Sequence, residues 1–395
     1  MIVETAGVET RLDSSARRSA ISWRVAIALF VVAVACFVYG VRGETTKPDF
    51  GLLTVSFLYF MGVSQAGVVL TAITRLVRAE WAKPYYRLAE LSTLAFFPFA
   101  IGVFLLLFVY ARHELFHWLA HDAKEHASPW LNERWLVIRN LFGLLLFYGV
   151  SAVYVFKSLG PRTGRRAAQD VQRQLYLMSP WVIAAFVICN TLIAWDFGMM
   201  LTPHWHSTVF PIYFWFGNLF AGAAALIVFP AVVGRTADAH TRFGRNEIRS
   251  LGMLLTTFTL LWLYFFWAQF FVIWFGNLPY EFGPLWRQMH GHYAPWFWTM
   301  MIACFFLPFA AFIFAAVKRS LSALCFIALS INIGIWINKY LTVIPVLVAD
   351  HRPFQHWLDI VLALGLLAGF IAAVILLGSR WPDEAREQKT RAGVS

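Results

Sequence analysis

Long apolar runs alternate with short polar segments along almost the whole chain. A helix that spans a bilayer needs about 20 mainly apolar residues. Ten runs reach that length, at 21–41, 52–76, 88–110, 136–159, 177–197, 209–233, 251–275, 295–317, 321–347 and 358–377. They are too long and too uniformly apolar for barrel strands, in which apolar and polar residues alternate. The pattern predicts an all-α integral membrane protein of about ten transmembrane helices.

Positively charged residues fall mainly on one side of this predicted topology. Of the 32 lysine and arginine residues, twenty-three lie in the two tails and in every second loop, eight lie in the remaining loops, and Lys339 lies within a span. Cytoplasmic loops carry the lysine and arginine excess, so both tails are expected in the cytoplasm. We predict a tail at 1–20, one polytopic domain at 21–379 and a tail at 380–395, in a bacterial inner membrane.

Composition supports a lipid-facing surface and excludes several other classes. The chain is 60% apolar and only 13% charged, whereas soluble domains carry about 25% charged residues. The net charge of +11 follows from the loop bias, and no arginine-rich arm is present that would track a nucleic acid backbone. The four cysteines lie in apolar runs without CxxC spacing, which disfavours iron–sulfur ligation or covalent haem attachment on this chain.

One histidine motif is a candidate metal site. His113, Glu114 and His117 match the HExxH pattern, in which two histidines on one helix face bind zinc and the glutamate acts as a general base. No third zinc ligand is evident in another span. A solvated turn at the membrane interface is the simpler interpretation, so we expect no resident metal.

The segment between the fifth and sixth spans carries the strongest candidate site. Asp196 closes the fifth span, and a carboxylate in a membrane helix is costly unless it has a partner or a task. His204 and His206 follow closely and are candidates to share its proton, while Trp205, Phe210 and Tyr213 would form an aromatic wall for a flat ring. The alternative is that Asp196 only caps the loop backbone.

Three further ionisable residues lie in or near spans and are candidates for a proton path. Glu90 follows Arg87 by one helical turn, and its alternative role is a simple ion pair with that arginine. Lys339 and Asp359 lie near the outer ends of the ninth and tenth spans and are candidates to pair across that hairpin. Amides within the spans would either extend a row of polar groups along the proton path or form hydrogen bonds between helices. These amides are Gln65, Asn190, Asn218, Gln269, Asn332 and Asn338.

Two stretches resemble a known family of membrane subunits. The first runs from Asp196 to Pro203-His204-Trp205 and Ser207-Thr208, and the second from Gln269 through Ile273-Trp274 to Gly276-Asn277-Leu278-Pro279 and Glu281. Together, in this order and in a chain of about ten spans, they resemble the NrfD-like polysulfide-reductase membrane-subunit family. Within it, the likeness is greatest to the second large membrane subunit of bacterial quinol:cytochrome c oxidoreductase, also called alternative complex III.

This resemblance implies a fold, partners and site residues. It implies paired four-helix bundles with flanking helices, and a subunit without covalently bound cofactors for which quinone or quinol is the candidate substrate. Partner subunits would hold the iron–sulfur clusters and the haems of a multihaem cytochrome c, beside a sister NrfD-like subunit. Matched residues expected at a quinone site include Trp205, Gln269, Asn277 and Glu281. The chain departs from the family pattern at His206, at Tyr280 and at Asn338-Lys339.

Three functional hypotheses therefore come from the sequence. The first is a subunit that lines an outer-facing quinone or proton site, with Asp196, His204 and His206 as proton acceptors. The second is a scaffold that carries a proton path through Glu90, Lys339 and Asp359 and binds no quinone. The third is a membrane metalloenzyme built on the HExxH motif.

Overall fold

A computed structural model describes residues 24, 27–28, 30–32, 34–35, 47–119, 130–160, 165–202, 205–232, 244–277, 279–349, 351–353 and 357–380. In the first half of the chain the helices are α1 (Lys47–Leu76), α2 (Lys83–Leu115), α3 (Glu133–Leu159) and α4 (Arg165–Ala194). The second half contains α5 (Phe210–Val232), α6 (Arg245–Phe275), α7 (Pro279–Met289), α8 (Ala294–Met301), α9 (Leu307–Ile313), α10 (Leu321–Leu347) and α11 (Trp357–Arg380). The turn Ile302–Phe306, a π-helix, joins α8 to α9.

Across the described residues, nine helical segments are long and apolar enough to cross a membrane. Each coincides with one of the predicted spans from 52–76 onward, and the described residues contain no strand. The all-α membrane fold is therefore confirmed. The first predicted span, 21–41, lies largely outside the described residues, as do the tail at 1–20 and residues 381–395 of the other tail. Where the span is described it is helical, and its Phe30 ring packs edge-on against Phe99 of α2 with centroids 5.2 Å apart.

The helices form two four-helix bundles side by side. In the first bundle α1 packs on α2, α2 on α3, α3 on α4 and α4 on α1; in the second, α5, α6, the α8–α9 unit and α10 close a similar ring. The bundles meet where α1 packs on α5 and α10, and α11 flanks the first bundle against α1 and α2. This arrangement confirms the paired bundles with a flanking helix.

Close approach between the bundles depends on small residues. A Cβ atom at Gly222 of α5 would collide with the Cβ of Ala66 of α1. Small residues at helix contacts are the usual means of close packing in a bilayer, where dispersion contacts replace the hydrophobic effect. As a result, 94% of the most apolar stretch of α1 is buried inside the protein. In α6 the buried share is 28%, so much of its surface faces lipid.

The sidedness of the molecule stays a prediction from the charge bias. Below, the outer end of a bundle is the end predicted to face away from the cytoplasm. It contains the start of α1, α3 and α5 and the end of α2, α4 and α6. The inner end contains the opposite termini.

Candidate functional site

The last turn of the fourth described span is a π-helix rather than an α-helix. It covers Trp195–Met199, and the Met200 amide donates to the Trp195 carbonyl at 2.7 Å, the five-residue step of a π-helix. Single π turns within membrane or soluble helices are frequent at functional sites. Asp196, Phe197 and Gly198 all lie on this turn, and each contacts a different part of the molecule.

Asp196 is fully buried and forms a two-point ion pair with Arg139 of α3. Arg139 Nε lies 2.7 Å from one carboxylate oxygen and Nη2 lies 2.5 Å from the other, while Asn140 Nδ2 donates to the first oxygen at 2.5 Å. Arg139 also donates to the Trp130 carbonyl at 2.7 Å and its guanidinium lies 4.2 Å from the Trp130 ring centroid. Bidentate geometry and these extra hydrogen bonds are what a buried ion pair needs to offset its desolvation.

Sequence reasoning missed Arg139 as the partner of Asp196. Arg139 is one of the eight lysine and arginine residues assigned to the outer loops, although it lies inside the predicted span 136–159. A charge within a span is the signal that was available, since such a charge normally has a partner. The helix that carries it, α3, is capped by Asn132, whose side chain accepts the Arg134 amide at 3.0 Å.

Of the two candidate histidines, His206 is exposed and His204 lies outside the described residues. The expectation that they share a proton with Asp196 stays a prediction. Between them, Trp205 is buried. Ser207 caps the start of α5, because its Oγ accepts the Phe210 amide at 3.2 Å.

Among the three predicted wall residues, Phe210 contacts both of the others. The Trp205 and Phe210 rings pack edge to face with centroids 4.9 Å apart, and the Phe210 and Tyr213 centroids are 6.3 Å apart. Phe210 rests on the π turn at Gly198, where a Cβ atom would collide with the phenyl ring. Glycine at this position therefore brings the wall against the turn that carries Asp196.

The facing side of the wall comes from α6. Trp262, Phe266 and Gln269 are spaced four and three residues apart and share one helix face. The Tyr213 ring lies 6.0 Å from Trp262 and 6.1 Å from Phe266, and Ser207 Oγ donates to Gln269 Oε1 at 2.9 Å. Sequence reasoning did not include Trp262; its spacing of seven residues before Gln269 was the available signal.

Three nitrogen donors around this cluster are buried and have no acceptor among the residues that the structure describes. They are the indole Nε1 of Trp205, the indole Nε1 of Trp262 and the amide Nε2 of Gln269. A buried donor that makes no hydrogen bond costs about 1–3 kcal/mol. Few native side chains leave such groups unsatisfied, so these three donors are available to a ligand that accepts hydrogen bonds.

The other two residues of the predicted quinone site lie beyond this cluster. Asn277 is exposed and has a left-handed backbone (φ 48°) directly after α6, a conformation that suits asparagine at the end of a helix. Glu281 is half-buried on the short helix α7. Their participation in quinone binding stays a prediction.

The three proton-path candidates occupy separate places. Glu90 pairs with Arg75, with Nη1 and Oε1 2.6 Å apart, at the inner end of the first bundle. Lys339 lies 3.2 Å above the Phe214 ring centroid and 3.5 Å from the Phe214 carbonyl oxygen. Asp359 Oδ2 lies 4.0 Å from His351 Nε2, so Lys339 and Asp359 have different partners rather than one another.

Most of the intramembrane amides connect helices. Asn218 donates to Asn190 at 2.7 Å, and Asn190 donates to Gln65 at 2.6 Å, which ties α5, α4 and α1 together. Elsewhere Tyr59 donates to Asn332 at 2.7 Å and Asn338 donates to Tyr213 at 2.5 Å. These bonds are hydrogen bonds between helices, the second of the two roles that the sequence allows for the amides.

The HExxH segment is not one helix. Helix α2 ends at Leu115, and His117–Leu119 forms a separate 3₁₀ turn, so His113 and His117 do not share a continuous helix face. The imidazole of His113 accepts a hydrogen bond from Arg112 Nε at 3.1 Å. Within the described ranges no three His, Cys, Asp or Glu side chains are grouped closely enough to hold a metal ion.

Comparison with known proteins places this architecture in a family. The family model described as "Polysulphide reductase, NrfD" matches residues 40–349, which include the Asp196 turn and the α5–α6 cluster. No curated protein matches the chain. The family consists of membrane subunits of quinone-linked oxidoreductases, and its members typically pair with iron–sulfur subunits. This chain, a multi-pass membrane protein, belongs to the polysulphide reductase NrfD family.

Proposed function

We propose that this chain is a membrane subunit of a respiratory complex of the quinol:cytochrome c oxidoreductase type, and that it contributes an outer-facing quinone site. The proposed head-group site lies between α5 and α6. Its wall is Trp205, Phe210 and Tyr213, and its hydrogen-bond donors are Trp205, Gln269 and Trp262.

The observation that carries the proposal is the set of three buried donors that have no acceptor within the described part of the chain. A quinone head group is flat, apolar on its faces and polar only at its carbonyl oxygens, which accept hydrogen bonds. Aromatic rings match the faces, and N–H donors match the oxygens. Sites for small ligands commonly combine a mostly apolar lining with a few such polar groups.

Oxidation of a quinol also releases two protons, which need acceptors near the hydroxyl groups. We propose Asp196, with His204 and His206, for this role. The contact between Gly198 and Phe210 supports the proposal, because it joins the turn that carries Asp196 to the aromatic wall. Arg139 holds the carboxylate in place. His206 is exposed, and we propose that it passes the proton on to water.

A binding measurement with matched indole variants tests the site. The full chain in lipid nanodiscs is titrated with a short-chain ubiquinone or menaquinone analogue. We expect Trp205→Phe and Trp262→Phe each to weaken binding about fivefold to tenfold, since each removes one hydrogen bond worth about 1 kcal/mol and keeps an aromatic ring. Trp215→Phe is the control, because Trp215 stacks on Phe216 on the same helix as Tyr213 and should leave the affinity unchanged.

Absence of saturable binding by the wild-type chain would contradict the quinone site. It would favour the second hypothesis, a scaffold with a proton path through Glu90, Lys339 and Asp359. If Trp215→Phe and Trp205→Phe lowered the quinone affinity equally, replacement of an indole would act through packing rather than through a donated hydrogen bond.

The partners are tested by isolating the native assembly. We expect mild-detergent purification from a bacterial inner membrane, followed by mass spectrometry, to recover iron–sulfur and multihaem cytochrome c subunits and a sister NrfD-like subunit with this chain. Iron–sulfur subunits without a cytochrome would point to another complex of the family. A lone chain with stoichiometric zinc or iron would instead direct attention to His113, Glu114 and His117.

A further inference from the structure

Buried polar groups recur at successive helical turns through the inner half of the first bundle. At the inner end Arg75 pairs with Glu90 and also donates to Tyr154 at 2.7 Å. Near mid-bundle the hydroxyls of Tyr148 and Ser64 lie 3.1 Å apart. On α3, Tyr148 and Tyr154 are separated by six residues with the buried Ser151 between them, so a hydroxyl occurs at each helical turn.

This series stops before it reaches the outer ion pair. On α3, eight residues separate Asn140 from Tyr148, a rise of about 12 Å at 1.5 Å per residue. The buried residues between them are Gly143, Leu144 and Phe147, all of them apolar. On α4, the buried residues between Asn190 and Asp196 are Ile193 and Ala194. The fully buried residues of both helices are therefore apolar between the middle of the bundle and the Arg139–Asp196 pair.

Aromatic rings pack together beside the outer ion pair. The Phe197 ring, next to Asp196 on the π turn, has its centroid 6.0 Å from Phe57 of α1, 6.1 Å from Phe104 of α2 and 5.7 Å from Phe116. All four side chains are buried. We call Phe57, Phe104, Phe116 and Phe197 the aromatic layer.

We infer that the aromatic layer is a proton barrier across the first bundle, and that Phe197 is the residue that closes it. Protons cross a protein through hydroxyls, ionisable groups and water, and a water needs two to four polar partners. The inner series offers such groups at each turn, whereas the aromatic layer offers none and would exclude water as a hydrophobic constriction does. The barrier keeps the chemistry of the outer ion pair separate from the inner face, whether or not a quinone binds.

A proton-flux experiment tests the barrier directly. The full chain is reconstituted into liposomes that contain a pH-sensitive dye, and a potassium gradient with valinomycin supplies the driving force. We expect wild-type flux equal to that of protein-free liposomes and, in Phe197→Ala, a flux at least about tenfold higher, because the truncation lets water join the two polar regions. Phe197→Asn, which keeps more of the side-chain volume, should also conduct if Phe197→Ala folds poorly.

The matched control is Phe186→Ala. Phe186 is a buried phenylalanine of the same helix, and its ring packs against Phe147 at 6.1 Å, away from the aromatic layer. Its truncation should leave the flux at the wild-type level. The inference is overturned if wild-type protein conducts as well as Phe197→Ala, if neither Phe197 variant conducts, or if Phe186→Ala conducts equally.

Discussion

The double variant Arg139→Gln/Asp196→Asn should assemble like the wild type and lose quinol-dependent turnover by at least about 10²-fold, the smallest typical contribution of a general base. The two amides keep hydrogen-bonding groups at both positions but remove both charges, so neither side chain is left as an unpaired buried ion. Turnover is measured with the intact complex, with a short-chain quinol as donor, and assembly is measured from the amounts of co-purified subunits.

The single variant Asp196→Asn alone would not separate function from stability. Arg139 is 8% exposed and would keep its charge without the carboxylate that neutralises it, which is strongly destabilising. The double variant avoids this cost. Wild-type turnover in a fully assembled double variant would remove Asp196 from the proposed proton chemistry and leave the pair a structural role.

Substitution of Arg75 by methionine should destabilise the protein by about 3–5 kcal/mol, the cost of breaking a buried ion pair. Arg75 of α1 contacts Glu90 of α2 at 2.6 Å and donates to Tyr154 at 2.7 Å and Ser158 at 2.9 Å of α3. Its removal leaves a buried carboxylate and two hydroxyls with fewer partners. Thermal unfolding in detergent is followed with a thiol-reactive dye, which labels the buried Cys189 and Cys304 only when the protein opens.

Two comparisons identify the charge as the cause. Arg75→Met/Glu90→Gln should recover much of the lost stability, because the carboxylate is no longer left ionised. Lys83→Met removes the partner of Glu80 in an exposed ion pair near the same end of the bundle, where the loss should stay below about 1 kcal/mol. Equal destabilisation by Arg75→Met and Lys83→Met would contradict a special role for the buried pair.

The apolar pattern by itself determined the class of fold and the positions of the spans. Runs such as 136–159 and 321–347 are long enough to cross a bilayer, and hydrogen bonding within each run is the only way for a lipid-exposed single segment to satisfy its backbone. Because that requirement is local, it can be predicted from consecutive residues. The motifs around Asp196 and Gln269 likewise predicted the family.

The partners of the buried charges were decided only by the tertiary structure. Glu90 contacts Arg75, fifteen positions earlier, and Asp196 contacts Arg139, fifty-seven positions earlier; the sequence suggested Arg87 and the nearby histidines. Helix packing, rather than sequence distance, sets which side chains of different spans face each other, and the π turn shifts Asp196, Phe197 and Gly198 relative to a regular helix. The ion pairs, the unpaired donors and the aromatic layer therefore exist only once the helices have packed.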